Sequence, residues 1–100
     1  MDANENDELI AAWKRTLANS RRLVTLFVNR ARELNREAIS ADRKGCHHAC
    51  RWMVRGRKHN MACARGAAAK RDIALRMLAE AQGTRYNAPP EAPPLHAIPE

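Results

Sequence analysis

Ten basic residues fall between Arg43 and Arg76: Arg43, Lys44, Arg51, Arg55, Arg57, Lys58, Arg65, Lys70, Arg71 and Arg76. Asp72 is the one acid in that span. Arg51, Arg55 and Lys58 recur at spacings of four and three, which puts them on one face of a helix. Guanidinium forks bind carboxylates and phosphates. Arg51, Arg55, Arg57, Lys58 and Arg65 are therefore the candidate face for an acidic partner. Acids gather instead at the start of the chain, in Asp2, Glu5, Asp7 and Glu8.

A second group is Cys46-x3-Cys50 and His59-x3-Cys63, with His47 and His48 alongside. Residues four apart on a helix can share a zinc ion. On one straight helix, however, Cys50 and His59 lie about 13 Å apart along the axis. Closing the site would need a sharp break at Gly56 or a partner chain, and the spacing is not that of a zinc finger. No metal or other cofactor is expected, with zinc at Cys46, Cys50, His59 and Cys63 as the alternative. The cysteines serve equally well as small apolar fillers.

Catalysis is not expected. No Gly-rich phosphate loop follows a strand, because no strand is predicted. Asp72 and Glu80 are too far apart to act as a carboxylate pair. His59 and Cys63 could form a thiolate–imidazole pair, but nothing nearby supplies a pocket or an oxyanion site.

The element that must position these residues is an unusually regular helix. Ile10, Trp13, Leu17, Ser20, Val24, Phe27, Ala31, Leu34 and Ala38 alternate at three and four, and all but Ser20 are apolar. That rhythm makes a seam along one side of a helix. Leu9, Leu23 and Val28 widen it beyond a two-stranded zipper stripe, as a bundle requires. The helix is predicted over 7–43, with Asn6 as N-cap and Gly45 as the left-handed residue that ends it. Ser40 and Asp42 are alternative caps for the next helix.

That second helix is predicted over 46–82, stopped by Gly83. Met53, Met61, Ala64, Ala68, Leu75 and Leu78 approximate one stripe, and a kink near Gly56 is the alternative to a straight rod. The two stretches match in length and share a short Gly-containing connection, so the fold class is all-α: a long antiparallel hairpin over 7–83. In that hairpin Val24 and Phe27 face Ala62–Ala69, Leu34 and Ala38 face Met53 and Trp52, and Trp13 and Leu17 face Met77 and Ile73. The hairpin core is assigned to Ile10, Trp13, Leu17, Val24, Phe27, Leu34, Met53, Met61, Leu75 and Leu78. Residues 1–6 read as a frayed acidic start. Residues 84–100, with five prolines, read as a disordered or polyproline tail.

With 100 residues, one Phe and one Tyr, a single hairpin buries little surface. A homodimer forming a four-helix bundle is the expected remedy. The net charge of +7 favours acidic partners, although a GC-rich coding sequence would also enrich arginine and alanine. The acidic N-terminus does not read as a secretory signal, and no apolar run of about 18 residues exists to span a membrane. The cytoplasm is the expected location.

The build, a short Ala/Arg-rich helical protein with a polar start and a Pro-rich end, resembles small accessory proteins of bacteria and their phages. The likeness is architectural, without a motif behind it. It implies a non-catalytic regulator or inhibitor that binds and modulates a larger machine. The alternative is non-specific nucleic-acid binding through the same basic face.

Overall fold

The computed structural model describes residues 3–84. They form two helices, α1 over Ala3–Arg43 and α2 over His47–Gln82, folded back on each other in a rod of 64 × 21 × 13 Å. The antiparallel register is marked at two levels. Asn35 on α1 meets Arg57 on α2, and Asn6 Nδ2 donates to the Ala81 carbonyl oxygen at 3.2 Å. Asn6 thus lies inside α1 and ties the free ends together, rather than capping the helix as its place in the sequence suggests. The Pro-rich segment falls, from residue 85 on, outside the described residues.

The turn between the helices is built by one glycine. Gly45 has φ +76°, a left-handed conformation that costs glycine nothing. Its N–H bonds to the Asp42 carbonyl at 3.0 Å, and the Cys46 N–H bonds to the Ala41 carbonyl at 2.8 Å. This pair of bonds is a Schellman stop. Gly83 repeats it at the end of α2, with Gly83 N–H to Glu80 and Thr84 N–H to Ala79. Cys46 is the residue before α2, and no side chain caps that helix, so neither Ser40 nor Asp42 takes the capping role.

The core is narrow because the helices meet largely through alanine. Val24, Val28, Ala31, Met61, Ala64, Ala67 and Ala68 form the central cluster, with Leu23 and Phe27 packed at its edge. The expected opposition of Val24 and Phe27 to the alanine stretch is observed. Val28, a flank by its spacing, is more deeply buried than Phe27. Ile10, Trp13, Leu17, Met53 and Leu75 are only half-buried.

Helix α2 is continuous through Gly56. Two packing expectations fail. Trp52 points outward, 62% exposed, and so does Ile73, 52% exposed. Leu34 instead packs over Gly56, where an added Cβ would sit 3.1 Å from Leu34 Cδ1. The missing side chain lets the leucine fill the space that Trp52 was expected to occupy.

Candidate acidic-partner interface

Four of the five basic candidates, Arg51, Arg55, Lys58 and Arg65, lie exposed on α2. Arg51, Lys58 and Arg65 recur every seven residues, placing a cation about every 10 Å along one edge of the helix. The unbroken helix fixes that line. Trp52 lies to one side of that edge, next to Arg55. Its Nε1–H donates to His48 Nε2 at 3.0 Å, which requires that nitrogen to be unprotonated. The His48 ring meets the indole edge to face, with centroids 6.4 Å apart. The Arg55 guanidinium lies 5.8 Å from the indole centroid, within cation–π range. His48, Trp52 and Arg55 are spaced four and three apart, so the helix stacks them into one ordered surface group.

Arg57 does not belong to that surface. It is 6% exposed, facing α1, and its Nη1 donates to Asn35 Oδ1 at 2.7 Å. Its position follows from rhythm. Val54, Arg57, Met61, Ala64 and Ala68 alternate at three and four, so Arg57 occupies a seam position despite its charge. Arg71 continues the same line and is also largely buried; its Nε lies 3.5 Å from Asp72 Oδ1 without hydrogen-bond alignment.

Helix α1 and the turn after it add cations that the pattern of α2 alone does not reveal. Arg36, Arg43 and the turn residue Lys44 line a hollow with Ile39 and Ser40. A larger groove of about 480 Å³ opens between the helices, lined by Asn35, Ile39, Asp42, Arg43, Cys50, Val54, Arg57 and Lys58 among others. Asp42 Oδ1 also approaches His47 Nδ1 at 3.4 Å, an ion pair when that histidine is protonated.

The cysteines and histidines are not drawn together by one chain. Cys63 Sγ lies 3.7 Å from His59 Nε2, while Cys46, the residue before α2, and Cys50, in its first turn, sit at the other end of that stretch. Among the described residues no three His, Cys, Asp or Glu side chains converge as a metal site. No described helix is long and apolar enough to cross a membrane.

No protein-family model matches this chain, and no curated protein or solved structure matches it. Function has to be read from the side chains themselves.

Proposed function

We propose that this chain is a non-catalytic interaction protein that docks on an acidic protein surface through the exposed edge of α2 and so modulates a larger assembly. Arg51, Arg55, Lys58 and Arg65 supply the charge, and Trp52 supplies the anchor. The observation that carries the reading is the indole of Trp52. It is exposed on the flank of the cationic line, beside Arg55, yet already ordered by His48 and Arg55. Tryptophan and arginine dominate the energetics of protein interfaces, and a side chain ordered beforehand loses less entropy on docking.

The same reading includes self-association. Ile10, Trp13 and Leu17 stay only partly buried in a single hairpin, and the Trp13 Nε1–H finds no acceptor among the described residues. A second copy laid along the α1 seam would cover them, giving the four-helix bundle. Non-specific nucleic-acid binding is the competing reading, favoured by the open face of the same indole, on which a base could stack.

Capture from a lysate of the protein's native cells, with and without nuclease, tests both. The variant Arg51→Glu/Arg55→Glu/Lys58→Glu/Arg65→Glu should keep its helicity and lose a partner that survives nuclease. Capture unchanged by the four reversals removes the reading. Capture abolished by nuclease transfers it to nucleic acid. Trp52→Ala alone should weaken capture by about 2 kcal/mol, the scale of an interface hot spot, without altering the melting curve, because the indole is 62% exposed and lies outside the core cluster.

A further inference from the structure

The buried cation at Arg57 has no role in the exposed line of α2, and its surroundings are those of a binding pocket. A guanidinium this deep is costly unless a counter-charge meets it. Its partner is the neutral amide oxygen of Asn35, and among the described residues no carboxylate pairs with it. Arg57 lines the groove of about 480 Å³ at the turn end, within the size range of built ligand sites. Lys58 and Arg43 line the same groove, whose one acid is Asp42. Three cations thus stand against one carboxylate. Ile39 and Val54 supply apolar wall, and Ile39 is left 45% exposed in the hairpin.

The geometry points to this groove as the pocket for a carboxylate side chain of the acidic partner, taken together with a neighbouring aliphatic side chain. The inference rests on the acidic-partner reading and names the chemistry the partner presents. A guanidinium has five N–H donors. Asn35 takes one and holds the group in place, so donors remain to grip a carboxylate as a fork. The aliphatic neighbour lies on Ile39 and Val54. A bare inorganic anion would meet the charge and leave that wall wet, so the mixed lining selects an acidic peptide.

The test is an NMR titration of the full chain, following the Arg57 Nε–Hε signal and the methyl signals of Ile39 and Val54. The probe is an end-blocked tetrapeptide alternating leucine and glutamate, compared with its glutamine counterpart and with inorganic phosphate. The glutamate peptide should shift all three sets of signals saturably, and the glutamine peptide at least about tenfold more weakly, the loss of one charged contact. Arg57→Met should abolish the response. Ile39→Ser, on an exposed position, should weaken it severalfold with every charge intact, and serves if Arg57→Met fails to fold. Equal response to the glutamine peptide, or phosphate moving the methyls as far as the glutamate peptide does, overturns the pocket. Arg51→Glu/Arg55→Glu/Arg65→Glu changes no residue that lines the groove, so peptide shifts that persist in it while partner capture is lost support a pocket that does not depend on those three arginines. Partner capture at wild-type strength by folded Arg57→Met overturns the pocket and leaves the exposed-face reading standing.

Discussion

The two helices run at the same rhythm and fill it with different chemistry. Along α1 the line is Ser20, Val24, Phe27, Ala31, Leu34, Ala38 and Ala41; along α2 it is Val54, Arg57, Met61, Ala64, Ala68, Arg71, Leu75 and Leu78. Both alternate at three and four. In α1 composition and rhythm agree, so the seam is greasy nearly throughout. In α2 two arginines stand at seam positions; the helix buries Arg57 and turns Arg71 partly inward. At Arg57 position in the rhythm outranks charge.

That contrast is sharpest in paired truncations. Leu34→Ala on α1 removes a buried side chain that fills the space over Gly56, and should cost about 2–3 kcal/mol in urea unfolding. Arg57→Met on α2, at the same level of the rod, keeps the volume and removes an unpaired buried charge. It should leave stability unchanged or raise it. A loss as large as that of Leu34→Ala would show the arginine to be a structural strut, and the contrast between the helices would collapse.

Between these lies Asn35, which touches the buried guanidinium from the opposite helix. Asn35→Ala strips Arg57 of its acceptor and should cost about 1–3 kcal/mol, the range for a charged group left without its hydrogen bond. The cost should vanish in the double variant Asn35→Ala/Arg57→Met, since no charge is left to orphan. A double-mutant cycle measures that coupling directly.

Helix α1, both glycine stops and the hairpin topology are legible in the sequence, because Ile10 to Ala38 and the placement of Gly45 and Gly83 each carry a local physical reason. The seam of α2 is not, because alanine blurs its faces: Ala62 and Ala69 are exposed while Ala64 and Ala68 are buried. Charge alone sends Arg57 and Arg71 to the surface; Arg57 is buried instead and Arg71 only partly exposed. Aromatic character alone sends Trp52 inward, although its spacing of 21 from Ile73, three full heptads, sets both on the same outer line. The groove depends on the register of α1 against α2, through Asn35 and Arg57, and no pattern within either helix encodes it.

The glycines of α2 supply the finest test of how tightly the two helices meet. Gly56 and Gly66 both weaken a helix interior, each by about 1 kcal/mol relative to alanine. Nothing lies within 4 Å of a Cβ built at Gly66, whereas one at Gly56 sits 3.1 Å from Leu34 Cδ1. Gly66→Ala should therefore recover about 0.5–1 kcal/mol. Gly56→Ala starts from the same gain but must push the end of Leu34 aside, in a contact that has little room to give. Its net effect should fall below that of Gly66→Ala. A thermal melt in which Gly56→Ala stabilises as much as Gly66→Ala would mean that Leu34 moves freely. The turn-end half of the rod would then be looser than its buried arginine implies, and the asymmetry between the helices would be one of composition without a tight interface behind it.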